Sequence, residues 1–451
     1  MRRITFSLLS ILAIVVSSCI KEEKPINVTT EDLHHSIDEV VEVMIHDIFS
    51  PPVASRIFVY PNIAAYEIIA LEDPNYNSMV GKLNGLKAIP KPENSEQINY
   101  KVAAIIAHNE LSKSLIFSEN RIDQFQDSLY GKWKQTNEDE FNASKAYADV
   151  VINHMKAWMD KDNYKQTRTM PKFTVIPEDS ARWQPTPPAY MDGLEPHWDK
   201  IRTLAIDSAS QYRPLPPPEF SLDKDSEFFK QAMEVYTVSN SITAQGDSSE
   251  GIEIAQFWDC NPYVSVTRGH LMFATKKISP GAHWIGIAKI ASRKSNADFS
   301  KTLFAYTKTS IGIFDGFISC WDEKYRSNLI RPETVINRYI DENWKPILQT
   351  PPFPEYSSGH SVVSGASASI LTSIFGDNFA FEDDTELAFG IPVRSFTSFN
   401  QAAQEAAISR MYGGIHYTAA IEQGLVQGIA IAEHVNNLME GINNQKVVAE
   451  K

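Results

Sequence analysis

The stretch Ser357-Ser358-Gly359-His360-Ser361 stands directly after a proline-rich run and directly before an apolar segment of small residues. It combines hydroxyl groups, one backbone position without a side chain and an imidazole at a predicted helix start. Unpaired backbone N–H groups and the positive end of the helix dipole favour anions at such a position. The stretch predicts part of an oxyanion site, although by itself it also fits a helix cap beside a packed histidine.

Helical periodicity extends through most of the chain. Apolar residues recur at three- and four-residue spacing, whereas strand-like alternation is scarce, so the fold class is predicted to be all-α, built from packed helical bundles. The helix that ends near Lys324 is apolar on nearly every side and is expected to run through the centre. The predicted helices cover residues 29–48, 53–71, 98–117, 121–134, 141–160, 226–239, 249–259, 282–292 and 299–324, followed by the segment after His360.

Residues 165–220 contain many prolines, which exclude long helices. We expect an extended arm, packed onto the helical body through Trp183, Tyr190 and Trp198. The chain after residue 18 is therefore interpreted as one continuous helical domain, 19–451.

The N-terminus has the organisation of an export signal. Arg2-Arg3 precede the apolar run Ile4–Val16, and small residues lead to Cys19. This predicts a signal peptide over 1–18 and a lipid on Cys19, with ordinary cleavage beside an incidental cysteine as the alternative. The expected location is periplasmic or at the cell surface, with the lipid as the only membrane contact, and secretion is the alternative. The formal charge of −14 argues against nucleic-acid binding.

The remaining cysteines and the acidic residues give weaker signals. Cys260 and Cys320 could pair in an oxidising compartment or stay buried and free. No Cys/His spacing resembles a zinc site. The acidic run Asp377–Glu386 lacks an EF-hand pattern and is interpreted as solvated surface.

Cationic residues flank the central stretch in sequence. Lys324 shares a predicted helix face with Trp321, and Arg331 follows after six residues. Downstream, Arg410 is followed after five residues by His416. Lysine and arginine bind oxyanions in complementary ways, and a neutral imidazole can serve as a metal ligand or a nucleophile. Each piece alone also fits a solvated helix end or a packed histidine.

Together the three pieces resemble the signature shared by vanadium-dependent haloperoxidases and type 2 phosphatidic acid phosphatases. The run Thr350–Pro354 is similar to the haloperoxidase version, and the chain is most similar to bacterial vanadium iodoperoxidases. The resemblance implies two packed four-helix bundles and vanadate (V5+) as cofactor. It implies vanadium coordination by His416, general acid–base catalysis by His360, and polarisation of bound peroxide by Lys324. The residues that it implies around vanadate are Lys324, Arg331, Ser358, Gly359, His360, Arg410 and His416.

The chain departs from the family pattern at three positions. Ser357 replaces the usual proline, and Ala420 replaces the aspartate that orients the last histidine in phosphatases. Phe353 stands where algal bromoperoxidases carry an extra histidine. The expected halide environment consists of Trp321, Asp322, Phe353 and Tyr263.

The resemblance implies oxidation of a halide, with iodide favoured, by hydrogen peroxide. The alternatives are an acid phosphatase with His416 as nucleophile and a non-enzymatic surface lipoprotein. The sequence leaves the oligomeric state open, with a monomer favoured.

Overall fold

The structure is a computed structural model that describes residues 24–261, the backbone of 265–268 and 271–274, and residues 277–442. Within these ranges the chain is almost entirely helical, which confirms the predicted all-α class. The helices are α1 Thr30–Asp47, α2 Pro51–Ile69, α3 Tyr100–Lys113, α4 Glu119–Thr136, α5 Glu138–Met159, α6 Tyr164–Thr167, α7 Glu227–Ala244, α8 Glu250–Phe257, α9 Pro280–Lys294, α10 Phe299–Ser327, α11 Pro332–Tyr339, α12 Gly359–Phe375, α13 Phe399–Tyr412 and α14 Thr418–Leu438. Two antiparallel pairs complete the fold: β1 Ser265–Arg268 with β2 Leu271–Ala274, and β3 Phe381–Asp383 with β4 Arg394–Phe396.

The helix boundaries follow local chemistry. Thr29 caps α1 through a reciprocal pair of hydrogen bonds with Asp32, as the sequence indicates. Helix α2 begins at Pro51, two residues before the predicted start, because proline is favoured in the first turn of a helix. Helix α10 continues three residues past Lys324 and ends where Asn328 adopts a left-handed conformation.

The helices form two packed groups. Helices α1 to α5 contact one another, and α10, α12, α13 and α14 form a second bundle. Helix α10 also packs against α2, and its side chains are buried on nearly every face between Phe299 and Lys324. One hydrophobic core cluster extends from Ile26 to Ile442 and joins the two groups. The predicted central position of α10 is therefore confirmed.

Helices α12 and α14 approach closely because α14 carries glycine at the contact. A Cβ atom added at Gly428 would lie 2.0 Å from the Val362 carbonyl oxygen, and one at Gly424 would lie 2.9 Å from the Ser358 carbonyl oxygen. Contacts this short leave no room for a side chain. The two glycines therefore allow the first turn of α12 to sit directly against α14.

The proline-rich arm has little regular structure and is anchored on α10. The Asp315 carboxylate accepts three backbone hydrogen bonds, from Leu204, Ala205 and Ile206. Trp183 and Trp198 are fully buried, as predicted. Tyr190 is 64% exposed, so the prediction that it packs onto the body is wrong. It directly follows the turn at residues 187–189 and has a left-handed backbone, with φ of 49°.

In the described part of the chain, no helix combines the length and apolar character needed to cross a membrane. The predicted signal segment 1–18 and Cys19 lie outside the described residues.

Candidate active site

A small buried cavity of about 30 Å³ lies beside the first turn of α12. The three signature segments meet around it, although they are distant in sequence. The predicted site residues that line it are Trp321, Phe353, Gly359, His360, Arg410 and His416. Lys324, Arg331 and Ser358 are fully buried behind this lining.

His416 is held by Glu355, a residue that the sequence analysis did not identify. Its Nδ1 atom lies 2.7 Å from Glu355 Oε1, which also accepts the backbone N–H of Tyr417 at 2.9 Å. Burial, together with the charge of Arg331, lowers the pKa of His416 well below its ordinary value. The ring is therefore neutral, with Nδ1–H donating to Glu355 and Nε2 accepting from Arg331 Nη1. Glu355 supplies the orienting group that Ala420 does not.

Arg331 donates a hydrogen bond to the second ring nitrogen of His416. Its Nη1 atom donates to the Ile415 carbonyl oxygen at 2.8 Å and lies 3.2 Å from His416 Nε2, while Nε donates to the Phe353 carbonyl oxygen at 2.9 Å. The Nη2 atom is buried and has no hydrogen-bond partner among the described residues. Burial lowers the pKa of Arg331 to about 10, so the guanidinium is charged at neutral pH.

Lys324 is bound to the backbone of the turn that precedes α12. Its Nζ atom donates to the carbonyl oxygens of Pro354 at 3.0 Å, Glu355 at 3.0 Å and Ser357 at 2.6 Å. All three donors of an ammonium group are thus used to hold this turn. Burial lowers the pKa of Lys324 to about 7. The lysine fixes the backbone on both sides of Tyr356 and places its charge behind Phe353, with Nζ 5.0 Å from the ring centroid.

Arg410 contributes a third cation and lines the cavity directly. Its guanidinium donates to the carbonyl oxygen of Trp258 at 2.7 Å and to Ser409 Oγ at 2.9 Å. Burial lowers its pKa, as it does for the other two cations. These shifts show that the three cations are desolvated, and an anion bound among them would stabilise their charged forms.

The first turn of α12 supplies the remaining polar atoms. Ser358 Oγ accepts the Ser361 backbone N–H at 3.3 Å, so it caps the helix. Among the described residues, His360 Nε2 and Ser361 Oγ are buried without a hydrogen-bond partner. Burial and the charge of Arg410 lower the pKa of His360 well below its ordinary value. The ring is therefore neutral and can accept a proton.

The expected halide environment is only partly assembled. The rings of Trp321 and Phe353 lie 5.1 Å apart in the cavity wall. Asp322 is not among the lining residues; its carboxylate pairs with Arg213 at 3.4 Å and with Arg326 at 3.7 Å. The Asp322 side chain therefore belongs to the surface side of α10. Tyr263 lies outside the described residues.

The two described cysteines are both buried and free. Cys320 Sγ lies 3.5 Å from the Ser357 carbonyl oxygen, whereas Cys260 Sγ lies 3.4 Å from His283 Nδ1. Each thiol has a different neighbour, so of the two interpretations left open by the sequence, the structure supports free thiols.

Comparisons with known proteins agree with this arrangement. Residues 304–445 match the family described as "VCPO second helical-bundle domain". Among solved structures, a bacterial vanadium-dependent iodoperoxidase is 64% identical, with a TM-score of 0.91 over 94% of this chain and 100% of that chain. A search of curated proteins finds no match.

Two more distant structures share the fold. The holo form of a bacterial vanadium-dependent chloroperoxidase is 15% identical, with a TM-score of 0.60 over 91% of this chain and 93% of that one. The apo-type structure of a bacterial vanadium-dependent chloroperoxidase is 14% identical, with a TM-score of 0.62 over 90% of this chain and 95% of that one. The high identity to the iodoperoxidase over nearly the whole chain, together with a cavity built from the signature segments, shows that this chain belongs to the vanadium-dependent haloperoxidases.

Proposed function

We propose that this enzyme oxidises iodide to hypoiodous acid with hydrogen peroxide as oxidant and vanadate (V5+) as cofactor. The observation that carries the proposal is the position of His416 Nε2, which faces a desolvated site with three buried cations. The similarity to a bacterial iodoperoxidase supports iodide as the halide.

The chemistry of the donor set fits a tetrahedral oxyanion. Within the part of the chain that the structure describes, Arg331 Nη2 is a buried donor without a partner, and His360 Nε2 and Ser361 Oγ are equally unsatisfied. Buried polar atoms of this kind are costly unless they are hydrogen-bonded, and an anion with several oxygens can satisfy them together. His416 would hold the vanadium through Nε2, while Arg331, Arg410 and the Gly359 backbone would face its oxygens.

The chain's own residues account for orientation and proton handling. When bound, vanadate supplies Lewis-acid activation of peroxide without a change in oxidation state. His360, which is neutral, is placed to accept a peroxide proton at Nε2 and to return it to the departing oxygen. Trp321 and Phe353 exclude water from the cavity wall. The net reaction, H2O2 + I⁻ + H⁺ giving HOI + H2O, consumes one proton.

Lys324 acts as a positioning residue in this proposal. Its hydrogen bonds to Pro354, Glu355 and Ser357 fix the turn that carries both the partner of His416 and the start of α12. The Lys324 ammonium lies behind the Phe353 ring, and its charge adds to the attraction of the site for an anion.

The test is iodide oxidation by vanadate-free protein, measured with hydrogen peroxide before and after vanadate is added. We expect activity only after addition and none in His416→Ala. His434→Ala is the matched control, because His434 is a partly buried histidine of α14 that bonds Tyr212 and the Ala205 carbonyl oxygen. Phosphate-ester hydrolysis that vanadate inhibits, without iodide oxidation, would establish the phosphatase alternative. Initial rates with iodide, bromide and chloride at one pH would define the halide range.

We also infer that the enzyme is exported and anchored by a lipid on Cys19. The support is the sequence of residues 1–19 alone. Mass spectrometry of the mature N-terminus should find cleavage before Cys19 and a lipid-sized mass increment. Cys19→Ala should release the protein from the membrane fraction, and an unmodified N-terminus in the wild type would contradict the inference.

A further inference from the structure

We propose that Cys260, His283 and Glu386 form a separate metal site that binds one Zn²⁺. The three side chains are buried and lie beside the cavity described above, with Cys260 in its wall. The proposal concerns residues other than those assigned to vanadate, and it does not depend on the proposed function.

The spacing of the candidate ligand atoms matches zinc coordination. Cys260 Sγ lies 3.4 Å from His283 Nδ1, and Glu386 Oε1 lies 3.5 Å from the same nitrogen and 3.8 Å from the sulfur. Tetrahedral zinc, with bonds of about 2.3 Å to sulfur and about 2.0–2.1 Å to nitrogen or oxygen, places its ligand atoms roughly 3.3–3.6 Å apart. Shifts of a few tenths of an ångström would complete one face of the tetrahedron and leave the fourth position for water.

The other ring nitrogen of His283 is held as in many zinc sites. Nε2 lies 2.9 Å from Asp383 Oδ2, and Thr385 Oγ1 lies 2.8 Å from Nε2 and donates to Asp383 Oδ1. The imidazole also stacks on Trp258, with the ring centroids 4.4 Å apart. A carboxylate on the second nitrogen fixes the tautomer and leaves Nδ1 free to coordinate a metal.

The charges within the cluster favour a divalent cation. Asp383 and Glu386 are buried carboxylates that face a single imidazole. A divalent cation held between Cys260 Sγ, His283 Nδ1 and Glu386 Oε1 would be attracted by both carboxylates. The combination of thiolate, imidazole and carboxylate is a ligand set typical of zinc.

The site would stabilise the wall of the cavity. It would tie the segment that contains Trp258 and Cys260 to α9 and to the connection after β3. The Trp258 carbonyl oxygen in turn accepts a hydrogen bond from Arg410. Zinc bound here would fix the backbone that accepts this hydrogen bond, and so it would help to position Arg410 in the active site.

The sequence analysis found no zinc signature because the ligands are 23 and 103 positions apart along the chain. It also interpreted Asp377–Glu386 as solvated surface. That interpretation is wrong for Asp383 and Glu386, which are 0% and 2% exposed. The hairpin of β3 and β4 folds these two side chains inward against α9.

The experiment is elemental analysis of the purified full-length protein, with zinc and vanadium measured in the same sample. We expect about one zinc per chain in the wild type and in Cys320→Ser, which removes the other buried thiol. Cys260→Ser and Glu386→Gln should lose most of the bound zinc. Asp383→Asn should weaken zinc binding about 10- to 100-fold. Cobalt(II) added to metal-depleted protein should give thiolate-to-metal charge-transfer absorption that Cys260→Ser lacks.

Two results would overturn the proposal. One is wild-type protein without zinc that also fails to take up Zn²⁺ in competition with a chelating dye. The other is full zinc retention in Glu386→Gln and in Cys260→Ser. Glu386→Gln keeps the size of the side chain, so it remains informative if Cys260→Ser does not fold. Because zinc content and Zn²⁺ uptake are measured directly and not through activity, the result is independent of iodide oxidation.

Discussion

Glu355 Oε1 lies 2.7 Å from His416 Nδ1 and fixes the ring so that Nε2 faces Arg331 and the cavity. The same oxygen accepts the backbone N–H of Tyr417, so one carboxylate sets both the ring and the chain direction after it. Burial raises the pKa of Glu355 to about 7, and the charges of Arg331 and Lys324 oppose that shift. The orienting group of His416 is therefore itself sensitive to the electrostatics of the site.

Glu355→Gln should weaken vanadate binding about 10- to 100-fold, because removing the carboxylate loosens the histidine and lowers its basicity. Titration of vanadate-free protein with vanadate, followed by activity, measures this. Glu67→Gln is the control. Glu67 is a buried carboxylate of α2 that accepts hydrogen bonds from Ser78 Oγ and the Met79 N–H. Equal affinities of Glu355→Gln and wild type would contradict the assigned role.

Vanadate affinity should decrease above pH 7 in a way that depends on Lys324. Its pKa of about 7 means that the free site carries this charge below pH 7 and loses it above, so anion binding at higher pH must take up a proton. Lys324→Met should bind vanadate more weakly than wild type at pH 6, and the difference in affinity between the two proteins should become smaller towards pH 9. Both proteins retain Glu355 and Arg331, so the difference between their binding curves isolates the lysine. If the vanadate affinities of the two proteins changed with pH in parallel, the titration of Lys324 would not contribute to binding.

Gly428→Ala should destabilise the fold by about 3 kcal/mol or more, because the new Cβ would overlap the Val362 carbonyl oxygen. Gly131→Ala is the control. Gly131 lies inside α4 with no atom within 4 Å of an added Cβ, so the substitution should be neutral or stabilise by about 0.5–1 kcal/mol. Urea denaturation of both variants measures the effects. Similar unfolding midpoints for the two would show that α12 and α14 are not tightly packed.

Lys308→Met should stabilise the protein at pH 7 by about 2–3 kcal/mol. Burial lowers the pKa of Lys308 to about 8, and its Nζ atom donates to Ser373 Oγ at 3.2 Å. Because the folded pKa is below that of the unfolded chain, the penalty is fully present below pH 8 and is relieved as the pH rises towards 10.5. Thermal unfolding of both proteins should therefore show that Lys308→Met is more stable than wild type at pH 7 and that this difference is smaller at pH 9.5. A gain that is equal at both values would rule out this explanation.

The helical fold could be predicted because its signals are local. The cap at Thr29 depends on a residue three positions away, and the burial of α10 follows from apolar residues at every turn. The signature segments also met as predicted. What failed were inferences about which way single side chains point: Tyr190 is exposed, and Asp322 pairs with arginines.

The amino-acid sequence by itself determined the class of helices, their approximate ends and the three segments that supply cations and histidines, since each depends on neighbouring residues or a fixed local spacing. Only the tertiary structure decided that Glu355 holds His416 across 61 positions and that Cys260, His283 and Glu386 meet. Those contacts depend on how the proline-rich run and the β3–β4 hairpin pass over the helices, and this path is set by the packing of the whole core.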